Sequence, residues 1–282
     1  MFEVVFEADN GKRYVFGKNG NTYFGMDIGN GVEVQLGTSQ GFLQIGETVE
    51  TQTVGSRPIN VTGEVFGNIV ERKNALRNVC APMTSGRLVF QDTYFIRVYV
   101  KNPPTFSPVK NNGHFTMQFF APFPYYYALD EKTAYVGVVF PQFRFPVNYS
   151  LPHRFGTRSA DRYTNIVNNG DVKIPFDVYI RSSGACANIT ISNLSTLAYL
   201  KLNGTLNAGE TVHIYREADG ALRAELTAEG IVSDIISWID EGSTLFELEV
   251  GDNLITATDD AGGAALTASF MYREAVAAVY ES

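Results

Sequence analysis

Hydrophobic and polar positions alternate along most of this chain, the two-residue period of a half-buried β-strand. Phe2, Val4 and Phe6 alternate with Glu3, Val5 and Glu7, and Asp9-Asn10-Gly11 supplies the turn that returns the chain through Tyr14 and Phe16 as a hairpin. Residues 17–46 hold eight glycines and few large side chains, so they read as an extended arm or loops, although Val32, Val34 and Leu36 keep the alternation. One segment breaks the period. Asn68 followed by Glu71 has the spacing of a capping box, and Ile69, Leu76, Cys80 and Met83 then share one side of a helix, with Val79 beside them. Pro82 and Gly86 close it. Arg72 and Arg77 fall off the apolar stripe, while Lys73 lies at its edge, where its stem covers apolar surface and its ammonium stays wet. The pattern predicts an amphipathic helix packed on a sheet.

Strand signals resume at residues 88–100 and 115–120, rich in Phe, Tyr and Val. Between them Asn102-Pro-Pro-Thr-Phe-Ser-Pro108 reads as a stiff loop, since each proline fixes φ and removes a donor. After the run Tyr125, Tyr126, Tyr127 the text is strand-like again at 135–145. It then becomes a series of short strands with turn signals every 8–12 residues, the pattern of a sandwich or barrel. Asp219-Gly220 is one such turn, and 231–240, which carries the single Trp238, is ambiguous, with a helical turn as one reading. The chain has 282 residues; at about 150 per domain that is two domains, placed at 1–130 and 131–282. The expected fold is mainly β.

Charge divides the same way. Residues 1–145 carry a net +1 and residues 146–282 a net −9. An acidic half lacks the Lys and Arg that replace counterions on a phosphate backbone, so specific nucleic-acid binding is not expected. The first residues have no basic n-region with an unbroken apolar core, so no signal peptide is read there. No apolar run approaches the ~18 residues of a membrane helix, and no membrane partner is expected. Cys80 and Cys186, one in each half, read as two buried thiols rather than a bridge. Five Asn-x-Ser/Thr triplets, at Asn60, Asn148, Asn188, Asn193 and Asn203, read as by-products of Asn- and Thr-rich turns.

Groups for catalysis do not converge. His114, His153 and His213 stand in separate contexts without a second ligand at metal spacing. Gly29-Asn-Gly31 lacks the third glycine of a dinucleotide fingerprint, and Gly11-Lys12 lacks the flanks of a phosphate loop. Asp259-Asp260-Ala-Gly-Gly263 lacks the spaced oxygens of a calcium loop and reads as a turn. No enzyme activity, cofactor or metal is expected. Tyr125, Tyr126 and Tyr127 cannot all face inward, because successive strand residues point to opposite sides. They are candidate interface residues, together with Arg72 and Arg77 on the basic helix.

Seven segments, in order, resemble the distal tail proteins of siphophages, the siphovirus-type tail component family. They are Arg57-Pro-Ile-Asn-Val-Thr-Gly63, the block formed by the basic helix at 68–80 with Gly86-Arg-Leu-Val-Phe90 and residues 94–100 after it, and Phe115-Thr-Met-Gln-Phe-Phe-Ala-Pro-Phe-Pro-Tyr125. The second half adds Thr164-Asn-Ile-Val-Asn-Asn-Gly-Asp171, Asn188-Ile-Thr-Ile-Ser-Asn193, Leu206-Asn-Ala-Gly-Glu-Thr-Val212 and Gly251-Asp-Asn-Leu-Ile255. The resemblance implies a β-sandwich-like, ring-forming N-terminal domain with one helix and a galectin-like C-terminal β-sandwich. It further implies a structural virion protein at the tail tip, made in the bacterial host cytoplasm. That protein would form a homohexameric ring joining the tail tube protein to a tail-associated lysin or fibre hub, with a receptor-binding protein as a further partner. The alternative is a carbohydrate-binding lectin-like module or adhesin, against which Trp238 sits in an acidic segment without His, Asn and Arg beside it.

Overall fold

A computed structural model describes residues 3–27, 32, 34–108, 112–137, 139–141, 156–158, 163–217, 220–263 and 265–279. The chain divides into two compact units, Met1–Asp130 with Ala275–Ser282, and Glu131–Glu274.

The first unit contains β1 (Val4–Ala8), β2 (Arg13–Phe16), β3 (Thr22–Met26), β4 (Val34–Ser39), β5 (Thr48–Val54), β6 (Arg57–Val65), α1 (Ile69–Val79), β7 (Ser85–Phe90), β8 (Tyr94–Phe106), β9 (His114–Ala121) and β10 (Tyr126–Ala128). One sheet runs β2-β1-β7-β8-β9-β6-β3, with β10 beside β8. Alternation sends Val4, Phe6 and Ala8 into a core shared with Phe16, Ile59, Leu88 and Phe119, and leaves Glu7 on the outer face. The two ends of the sheet meet: Phe16 and Phe24 lie 5.8 Å apart, and the Tyr14 hydroxyl is 2.9 Å from Thr22 Oγ1. The sheet therefore curls around its own apolar face, and α1 adds Leu76, Val79 and Cys80 to the same core.

The helix starts where the pattern placed it. The Glu71 N–H points to Asn68 Oδ1 at 3.5 Å, and Asn68 Nδ2 donates to Glu71 Oε2 at 2.9 Å. Its end differs. Met83, expected on the apolar stripe, is 96% exposed at φ 63°, because the helix stops at Val79 and the chain has turned away before Pro82. The loop expected at 102–108 is also corrected. β8 continues to Phe106 and slips register between Val100 and Asn102 and between Asn102 and Thr105, so bulges absorb Pro103 and Pro104. Of the expected arm at 17–46, Thr22–Met26 belongs to the sheet, while among the described residues β4 and β5 pair only with each other and form an exposed hairpin.

The second unit contains β11 (Lys132–Val136), β12 (Val139–Pro141), β13 (Gly156–Arg158), β14 (Tyr163–Asn168), β15 (Phe176–Ser182), β16 (Cys186–Asn193), β17 (Ala198–Leu206), β18 (Thr211–Arg216), β19 (Leu222–Ala228), β20 (Ile231–Asp234), β21 (Gly251–Thr258) and β22 (Leu266–Tyr272). A six-stranded sheet, β11-β22-β15-β18-β19-β20, and a four-stranded sheet, β14-β21-β16-β17, each carry buried Val, Ile, Leu or Phe side chains. Val178, Ile180, Ile214 and Phe270 come from the first sheet; Ile166, Ile191, Leu202 and Ile255 come from the second. The ambiguous 231–240 is strand β20 followed by one 3₁₀ turn, Ile236–Trp238. Asp219 lies outside the described residues, but Gly220 has the positive φ of the expected turn, 88°.

The C-terminal residues, expected in the second domain, return to the first unit. Strand β23 (Ala275–Val276) pairs with β10 through Tyr126 and Tyr127. Ala275 and Val279 are buried there, and Arg57 Nη2 donates to the Ala277 carbonyl at 2.6 Å. A boundary read forward along the sequence cannot register such a return, because two residues of strand carry no separate signal.

Candidate interaction surfaces

The tyrosine run alternates as strand geometry demands. Tyr126 is fully buried, edge-on to Phe90 at 5.2 Å, with the Arg57 guanidinium 4.9 Å over its ring. Its phenol is pushed up by burial, against the pull of Arg57. Tyr126 therefore leaves the candidate interface, because its ring is enclosed in the core. Tyr125 and Tyr127 are half-buried, and Tyr127 leans on Phe95 at 6.0 Å. On α1, Arg77 is exposed and Arg72 half-buried; Lys73 and Arg77 hold their charges 5.2 and 4.9 Å over the Phe106 ring.

Three surface features of the first unit stand out. The hairpin β4–β5 exposes every residue, including Val34, Leu36, Val49 and Val54, and its tip presents Phe42, Leu43 and Ile45 to solvent. A shallow trough of about 740 Å3 crosses β3, β6, β9 and the end of β8, with Tyr23, Thr62, Glu64, Phe106, His114 and Thr116 along it. His114 there lies 3.7 Å from Glu64. The third feature is a row across four strands, Arg13–Glu7–Arg87–Arg97, fixed by the register of β2, β1, β7 and β8. The Arg87 Nε donates to Glu7 at 2.8 Å, Arg97 donates to Asp9 at 2.9 Å, and Arg13 stands 3.9 Å from Glu7. With Lys12 these residues line a concavity of about 440 Å3. Composition gave no hint of this row, because it depends on strand register.

In the second unit, the segments that carried the resemblance are structural. Asn253 is fully buried: its Oδ1 accepts from the Glu249 N–H and from Asn193 Nδ2, both at 2.9 Å. Its Nδ2 donates to the Glu249, Gly251 and Ile166 carbonyls at 2.8, 3.1 and 3.3 Å. Asn168 is buried as well, accepting from the Gly170 N–H and donating to the Val172 carbonyl. These amides satisfy the backbone where strands end, which is the physical reason for asparagine there. Burial also removes Asn193 as a modification site. Asn169 and Lys132 both bind Glu274; burial opposes ionisation of that carboxyl, but these hydrogen bonds hold it below the usual range.

Cys80 and Cys186 are buried thiols, and burial pushes the Cys80 thiol far up. His213 is stacked between Tyr179 and Tyr215 at 3.9 and 4.3 Å, and burial lowers its pKa. His153 lies outside the described residues. Among the described residues, no three His, Cys, Asp or Glu side chains converge as a metal site. Asp259 caps its own loop by accepting from the Gly263 N–H, as a turn aspartate does. Trp238 lies flat on Gly204, where a Cβ would fall 2.2 Å from the ring, so one ring face is already covered.

Residues 169–274 match the model of the siphovirus-type tail component C-terminal domain. The chain resembles the siphophage distal tail proteins. Its fold matches the crystal structure of the Dit protein (gp 19.1) of phage SPP1, described as a paradigm of the hub adsorption apparatus of phages infecting Gram-positive hosts. That match has a TM-score of 0.67 and 14% identity, and covers 98% of this chain and 99% of that one. Chains of the phage P2 baseplate in its activated conformation match with TM-scores of 0.51 with calcium and 0.50 with strontium, each at 13% identity and 99% coverage of both chains. No curated protein sequence matches this chain. Both the distal-tail family model and the shared fold fall on a mainly β chain of two units.

Proposed function

We propose that this chain is a structural hub of a siphophage tail tip. Copies of it close into a six-membered ring that joins the tail tube above to the tail-associated lysin or fibre hub below, with no catalytic role. The exposed hairpin β4–β5 carries this reading. A lone two-stranded hairpin is at best marginally stable in water, so one with every side chain exposed calls for a surface outside its own sheet. Its tip places Phe42, Leu43 and Ile45 in solvent, a contiguous apolar feature that marks an assembly contact. An arm on one copy that reaches a different patch on the next makes a heterologous contact, which yields a ring when its rotation closes. Likeness in fold to a hub protein and to baseplate chains supports the same reading.

The test is the native mass and negative-stain appearance of the purified chain across concentration. Six-fold rings with the mass of six 31.1 kDa chains are expected. Replacing residues 34–54 with a short Gly-Ser turn is expected to give folded monomers. A chain that stays monomeric at every concentration, alone and with tube protein, would overturn the reading.

A further inference from the structure

Resting on the ring reading, we propose that the arm of one copy seats on the arginine row of the next, its Glu47 and Glu50 completing the charge of that row. The row has more cation than anion. Arg13, Arg87, Arg97 and Lys12 surround a concavity of about 440 Å3 that holds only Glu7 and Asp9. Arg87 and Arg97 are directly opposed cross-strand neighbours, an arrangement that like charges disfavour unless anions are supplied. Within the row, Arg97 Nε is buried without a hydrogen-bond partner, and Arg13 approaches Glu7 no closer than 3.9 Å. The four cations and two anions of the row leave a net +2.

The arm has the complementary composition. Residues 34–54 contain Glu47 and Glu50 and no Lys or Arg. Among the described residues, neither carboxylate forms an ion pair within its own chain; Glu50 accepts from the Ser39 hydroxyl, at 2.6 Å. A net +2 concavity and a net −2 arm therefore stand on the same chain, Lys12 of the concavity being held by the Asn78 side chain at 2.6 Å. The interleaved Glu7 and Asp9 disfavour a continuous phosphate track, which would meet both carboxylates, and favour a protein segment with spaced acids. Arm and row are different patches, so the contact passes head to tail, as a ring requires.

Charge reversal tests this. Glu47→Arg with Glu50→Arg on the arm, or Arg13→Glu with Arg87→Glu in the row, is expected to raise the concentration for half-assembly at least tenfold. Combining the two pairs is expected to restore it to within threefold of the parent, and added salt to weaken the parent ring. A second readout does not depend on the reversed variants folding. The Glu47→Cys, Arg87→Cys double variant, oxidised under assembly conditions, is expected to give a ladder of covalent oligomers up to six chains. Rings that form normally from the reversed arm, or rings that give no covalent ladder, overturn the seat while leaving the ring reading in place. A parent chain that never forms rings overturns both.

Discussion

Asn253 shows how single buried amides decide this fold. Its side chain makes five hydrogen bonds that tie together β21, the Glu249 loop, β14 and Asn193 of β16. Asn253→Ala removes every one of them and leaves buried backbone groups without partners. A loss of about 3 kcal/mol is expected, since each unsatisfied buried group costs roughly 1–3 kcal/mol and some gain water. A urea titration followed by Trp238 fluorescence measures it; a change under 1 kcal/mol would contradict the network. His213 makes a second claim at this scale. Burial between Tyr179 and Tyr215 lowers its pKa, so the folded chain binds that proton less readily than the unfolded chain does. The stability from the neutral ring is complete above the ordinary histidine pKa of about 6.5 and is lost as pH falls below it. The melting temperature of the parent should therefore drop between pH 7.5 and 5.5 more than that of His213→Phe, which keeps a ring in the stack. Equal slopes would refute this. In the sequence His213 reads as an isolated strand histidine, because its partner Tyr179 is 34 positions away and cross-strand register is invisible there.

Elements were legible where local chemistry settles them. The cap at Asn68 and the stripe through Leu76 and Cys80 are short-range features, and the helix forms where they place it. Asn68→Ala is expected to cost about 1 kcal/mol, the usual worth of a side-chain cap, whereas Met83→Ser should change stability by less than about 0.5 kcal/mol. Guanidinium titrations of the two variants separate these outcomes, and a large loss from Met83→Ser would restore Met83 to the apolar stripe. Helical spacing alone extended the stripe one turn too far, because it does not register the left-handed backbone at Met83. Prolines misled in the opposite sense. Pro103 and Pro104 read as a loop, yet a strand passes through them by slipping its register, a long-range accommodation against β9. The arm was half legible. Its glycines marked a departure from the core, but β3 within the same stretch is held by β6, whose sequence lies more than thirty residues on. Of the candidate interface, Arg77 is exposed and Arg72, Tyr125 and Tyr127 are half-buried, while the arginine row requires four strands to be in register before it exists.

At the scale of the whole chain, the second unit is an insertion: the backbone leaves the first unit after Asp130 and re-enters it at Ala275. The first unit therefore depends on the far end of the sequence. Strand β23 extends its sheet beside β10, the Ala277 carbonyl accepts from the buried Arg57, and Val279 closes the core. Ending the chain at Glu274 removes a hydrogen bond to a charged group, worth about 1.5–3 kcal/mol, together with the burial of Val279. The loss should fall on one unit. Cys80 reports the first unit and Cys186 the second, both as buried thiols, and Trp238 reports the second alone. In the chain ending at Glu274, alkylation of Cys80 under native conditions is expected to accelerate by roughly a hundredfold, the factor that corresponds to about 3 kcal/mol of lost stability. Labelling of Cys186 and the urea midpoint of Trp238 should not move. Acceleration of both thiols together would mean that the units unfold as one, and no acceleration of either would mean that the returning strand contributes nothing to the sheet it joins.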